Sequence, residues 1–173
     1  QRARVTETLT REPDLGVELW FTYANCRLPP RFRKVVTQRD ELREEEQFVE
    51  ELVLPAALCS LARARDYSAA RLLRLLTALS VCRVAPHEEL SDAIVAVFDA
   101  NAERFARDAV VFADLVKFLA SCNGHAGIGG RAFWARLAGR AWADVDLPAA
   151  DRPSLAKLLT ALVREKAVDL LVF

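Results

Sequence analysis

Leu72-Leu-Arg-Leu-Leu-Thr-Ala-Leu-Ser-Val-Cys-Arg-Val-Ala-Pro-His-Glu-Glu-Leu90 is the stretch that decides the fold. Leu72, Leu75, Leu76, Leu79 and Cys82 recur at i, i+3, i+4, i+7 and i+10, which is one face of an α-helix. Pro86 then suits the first turn of a second helix, whose apolar set is Leu90, Ile94, Val97, Phe98 and Phe105. The pattern returns. Forty positions on, the first-helix slots hold Phe112, Leu115, Val116, Leu119 and Cys122. A further 43 positions on they hold Leu155, Leu158, Leu159 and Leu162, and only Glu165 breaks the register. The string Leu-Leu-Thr-Ala-Leu occupies both 75–79 and 158–162. Second-helix slots recur as Phe133, Trp134, Leu137 and Trp142, with Ala93 exchanged for Phe133 and Phe98 for Ala138. Small–large swaps of this kind can conserve core volume.

Punctuation agrees with the periodicity. The linker Asn123-Gly-His-Ala-Gly-Ile-Gly-Gly130 carries the residues that stop a helix. Asp151, with Pro153 shortly after, carries those that start one. The expected unit is two helices in about 40 residues, with an apolar face that only a stacked neighbour can bury. The expected fold class is therefore all-α, tandem helical hairpins forming an α-solenoid over residues 46–173. A terminal repeat with a polar outer face accounts for Glu165. A plain helical bundle is the other reading of the same pattern.

Residues 1–45 read differently, as a partly irregular basic extension. Pro13, Gly16 and Pro29-Pro30 interrupt long helices there, leaving a short one near Val17 to Ala24 anchored by Leu19, Trp20 and Phe21. The basic stretch Arg27 to Arg39 gives way to Asp40-Glu-Leu-Arg-Glu-Glu-Glu46, an acidic run suited to a helix first turn. That helix should reach about Leu54, where Pro55 must kink or restart it.

Composition bounds the function. The 173 residues are 53% hydrophobic and 28% charged, a globular balance. Basic and acidic residues number 24 each, so any polyanion must be bound by local patches and not by net charge. Twenty of the 24 cations are arginine, which reflects either a GC-rich coding sequence or the use of planar guanidinium groups on phosphate. Cys26, Cys59, Cys82 and Cys122 form no C-x-x-C pair and are expected to be reduced. No apolar run is long enough to cross a membrane, the longest being Leu52 to Ala62. Gln1 at the first position is expected of a processed or trimmed chain.

The rhythm from Leu72 to Leu90, a leucine-rich helix followed by a turn with proline and an acidic helix start, resembles heptatricopeptide and octotricopeptide repeats. Phe105 to Cys122 echoes it. Such repeats occur in the organellar RAP-domain and FAST-kinase-like group. The resemblance spans about residues 46–166 and implies an α-solenoid, a mitochondrial matrix address and work on RNA. The RAP domain itself is absent, which points away from a nuclease-like role and toward a structural one.

Cys122 and His125 have C-x₂-H spacing, but Cys82 and Cys122 fall on one apolar repeat slot, so a metal centre is not expected. His87 and His125 lack partners at the spacing of any nucleophilic constellation. Gly124 to Gly130 lacks the Gly-Lys-Ser/Thr end of a phosphate loop and reads as a flexible hairpin linker. Basic patches remain. One is Arg31, Arg33, Lys34 and Arg39 around Phe32; a second is Arg63, Arg65, Arg71, Arg74 and Arg83 with Asp66 as its single acid; a third is Arg136 and Arg140 near Trp134 and Trp142. Cations interleaved with aromatics suit phosphate contact and base stacking. The resulting expectation is a non-catalytic subunit of a mitochondrial ribonucleoprotein, the mitochondrial ribosome first among them. It would touch rRNA phosphates and neighbouring proteins, with no cofactor, small-molecule substrate or membrane insertion. The alternative is a protein-only adaptor in another large mitochondrial complex, respiratory or ATP synthase.

Overall fold

The computed structural model describes residues 11–26, 51, 54–62, 65, 67–82, 87–145 and 150–166. Among these residues the architecture is all-helical: α1 Pro13–Cys26, α2 Leu54–Leu61, α3 Ala69–Cys82, α4 Glu88–Ala106, α5 Ala109–Ala126, α6 Arg131–Asp144 and α7 Arg152–Arg164. None of these helices is long and apolar enough to cross a membrane.

Four of the helix starts have a side-chain cap. Ser68 Oγ accepts from Arg71 N at 3.2 Å ahead of α3. His87 Nδ1 accepts from Leu90 N at the head of α4, whose first turn carries Glu88 and Glu89. Asp108 caps α5 twice, through Val110 N and Val111 N at 3.0 and 3.1 Å. Asp151 caps α7 through Ser154 N at 2.7 Å. α1 is longer than its sequence suggested because Pro13 lies in the first turn, where it blocks no helical hydrogen bond. Pro55 has the same role in α2. The basic stretch up to Arg39 and the helix start at Asp40 lie outside the described residues, as does the boundary at residue 46.

The helices pack in two rows. α3 lies between α1 and α5, and α5 between α3 and α7; in the other row α4 touches α2 and α6. Contacts of α1 with α2 and of α4 with α5 join the rows. The leucine slots point into the shared core: Leu72, Leu75, Leu76, Leu79, Phe112, Leu115, Val116, Leu119 and Cys122 are all buried. So are Leu90, Ile94, Val97, Phe98 and Phe105, and Phe133, Trp134 and Leu137. The side chains of Cys82 and Trp142 lie outside the described residues. Val17 and Trp20 of α1 belong to the same core, so the N-terminal helix is part of the packed body.

The exchanged aromatic slots meet one another. Phe98 packs edge-on against Phe133 with centroids 6.1 Å apart, and also against Phe105 and Phe112. The glycine-rich linker is pinned. Gly127 takes the left-handed C-cap of α5 at φ 63°, and Ile128 is buried while its carbonyl accepts from Trp134 Nε1. Gly129 N donates to Ser91 Oγ at 3.0 Å. Glu165 departs from expectation in the opposite sense to a polar outer face. Its side chain is 11% exposed and accepts from Asn123 Nδ2 of α5.

Candidate functional site

The C-terminal half of α4 forms one wall of an open cleft of about 350 Å³. Arg104 comes from that helix and Arg107 from its C-cap; Arg65 enters from the segment before α3 and Arg140 from α6. Asp99 and Glu103 are the acids on its rim.

Among the described residues Arg104 is held in place without a carboxylate. Its Nη2 donates to the backbone carbonyl of Tyr67 and to Asn101 Oδ1, the latter at 2.6 Å, and its guanidinium lies 5.7 Å from the Phe105 ring centroid. The anchors are themselves fixed. Asn101 is buried and donates from Nδ2 to Val97 O at 2.7 Å; buried Tyr67 shares a 2.8 Å hydrogen bond with Ser60. Burial pushes the Tyr67 phenol above its ordinary value, so it stays neutral beside the cleft. Neutral acceptors orient a guanidinium but leave its charge uncancelled. Among the described residues neither Arg65 nor Arg107 forms an ion pair. Arg140 pairs with Asp144 at 3.3 Å, and Asp99 is met by Arg136 at 2.9 Å. The cleft thus carries more positive than negative side chains, with Arg104 held in one orientation and Glu103 lining it as well; guanidinium groups suit phosphate oxygens.

Other arginines singled out in the sequence have different surroundings. Arg71 and Arg74 do share a helix face, and α1 covers it. Arg71 pairs with Asp14 at 2.6 Å and lies over the Tyr67 ring; Arg74 pairs with Glu18 and lies over Phe21. Those two charges latch α1 to α3. Arg31, Arg33, Lys34, Arg39, Arg63 and Arg83 lie outside the described residues. Trp134 is 2% exposed with its indole N–H bonded to Ile128 O, so it presents no face for base stacking beside Arg136 and Arg140. Arg104 and Arg107 escaped the sequence reading because Glu103 and Asp108 alternate with them in Glu103-Arg-Phe-Ala-Arg-Asp108. A helical projection does not separate them either, since Asp108 follows Arg104 by four positions and Glu103 precedes Arg107 by four.

Nucleophile and metal chemistry find little support in the side chains described. Cys122 donates its thiol to Leu76 O at 3.1 Å, and burial pushes its pKa up to about 12. A thiol so protonated is a poor nucleophile and a poor ligand. His87 serves as a helix cap. Among the described residues no three His, Cys, Asp or Glu side chains gather as a ligand set. Comparison with protein-family models, curated proteins and solved structures finds no match for this chain. What the described residues define is an all-helical protein with an arginine-lined cleft.

Proposed function

We propose that the chain is a non-catalytic binding protein of helical-hairpin repeats, about 40 residues each, that grips RNA phosphates in the cleft of Arg65, Arg104, Arg107 and Arg140. The observation that carries this reading is the Arg104 guanidinium, fixed among the described residues by neutral acceptors, in a cleft shared with Arg65 and Arg107, which form no ion pair among those residues. What supports a two-helix unit is that alternate helices fall in the same row; the close contacts between rows are α1 with α2 and α4 with α5, the latter joining successive units, and not those within α3–α4 or α5–α6. The setting proposed is a ribonucleoprotein of the mitochondrial matrix, the mitochondrial ribosome foremost. That address rests on the resemblance of Leu72 to Leu90 to organellar repeats.

The test is fluorescence anisotropy of a labelled single-stranded RNA over a salt series. Each phosphate contact contributes about 0.7 to the slope of log affinity against log salt for single strands. The triple variant Arg65→Ala, Arg104→Ala, Arg107→Ala should lower that slope by about 2 and weaken binding at every RNA sequence tried. Unchanged affinity and slope in the folded triple variant would remove the cleft from RNA binding. A protein-only adaptor is the second reading, and the outer face of α7 is what favours it.

A further inference from the structure

Independently of the cleft, we infer that the outer face of α7 is a docking surface for an acidic amphipathic helix of a partner protein. In both rows the inner helices have neighbours on two sides, whereas α7 packs closely only on α5. The consequence shows at equivalent repeat slots. Leu76 and Val116 are fully buried, while Leu159, in the same slot, is 40% exposed. Leu155 and Val163, four positions to either side of it, are only half-buried and extend the opening into an apolar stripe along the helix. Contiguous exposed apolar surface of this kind marks a place where another element packs.

Charge decides what packs there. The sequence of α7, Arg152-Pro-Ser-Leu-Ala-Lys-Leu-Leu-Thr-Ala-Leu-Val-Arg164, contains no acid. Arg152 and Lys166 are exposed beside the stripe and form no ion pair among the described residues. Arg164, 57% exposed, lies on the other flank of α7, in the groove it shares with Lys157 and with Lys117 and Ser121 of α5. A cationic border around aliphatic side chains complements an acidic helix with an apolar stripe of its own. The molecule already contains one such pairing. On α3, α1 buries Val17 and Trp20 while Asp14 and Glu18 meet Arg71 and Arg74. RNA shares the charge preference but has no use for Leu155, Leu159 and Val163, so the apolar stripe favours a protein helix.

The experiment uses the full chain and a fluorescein-labelled peptide of glutamate, alanine and leucine, ~18 residues or about five turns long, with leucine on one face. The peptide should bind the wild-type chain, and Leu159→Glu should weaken binding by about tenfold or more. The double variant Arg152→Glu, Lys166→Glu, which changes exposed side chains only, should reverse the preference toward a lysine version of the peptide. Three results would overturn the inference: no binding of the glutamate peptide to wild type, equal binding of the glutamate and lysine versions, or an unaffected Leu159→Glu variant. Displacement of the peptide by a short uridine oligomer would also overturn it, by making this face a nucleic-acid contact.

Discussion

Gly129 sits at φ 68°, and a Cβ built there would lie 2.4 Å from Cδ1 of Phe133. The ring cannot retreat, because it packs edge-on against both Phe98 and Trp134. Gly129→Ala therefore meets two penalties, a left-handed backbone and an overpacked contact, together about 2–4 kcal/mol. Gly139 is the contrast: helical, exposed and with nothing near its would-be Cβ. Gly139→Ala should stabilise by about 0.5–1 kcal/mol. Urea melts of the two variants against the parent chain check both signs. The sequence shows glycine at both places and cannot tell them apart, since the distinction lies in where Phe133 sits.

The helix as a unit shows where local chemistry suffices and where it does not. Asp151 and Pro153 are legible as the start of α7, because a cap acts on backbone groups a few residues away. The strap across α7 is not legible: Lys157 reaches Asp114, 43 positions back, at 2.8 Å. These two groups give α7 a definite pH range. Its hydrogen bonds from Ser154 hold the Asp151 carboxyl below the ordinary 3.8, so this contribution is complete above 3.8 and fades as pH falls through the lowered value. The hydrogen bond to Asp114 holds the Lys157 ammonium above the ordinary 10.5, so that contribution is complete below 10.5 and fades as pH rises through the raised value. Methyl NMR signals of Leu158 and Leu162 should stay constant between 3.8 and 10.5 and move outside those limits. In Asp151→Asn, which keeps an acceptor but no charge, the acid transition should lose the Asp151 component. An acid limb identical to the parent's would assign it to other groups.

For the molecule as a whole, the order of packing sets the order of opening. α1 and α7 end one row, and their polar links to it, Arg71 to Asp14, Arg74 to Glu18 and Lys157 to Asp114, are partly exposed ion pairs. Such pairs contribute about 0.2–1 kcal/mol each and weaken with salt. Amides of α1 and α7 should exchange with deuterium sooner than those of α3 to α5, and the gap for α1 should widen at high salt. A single rate across all helices would instead mean that the rows open together. The leucine face at 72–79 and its recurrence were readable because helical period and burial are local facts about a segment. The cleft was readable only in part. Arg65 and Arg140 stood out by local charge, whereas Arg104 gains its meaning from Tyr67 and Asn101, one 37 positions away and one that looks like any surface amide. The surroundings of Arg71 and Arg74 were illegible for the same reason, since the acids that meet them are more than 50 positions earlier.

On the proposed repeat reading, the ring contact between Phe98 and Phe133 makes the units uninterchangeable. The first unit supplies a phenyl where the second has Ala138, and the second supplies one where the first has Ala93. Copying either unit in tandem would set a ring against a methyl at the new junction and leave a void there.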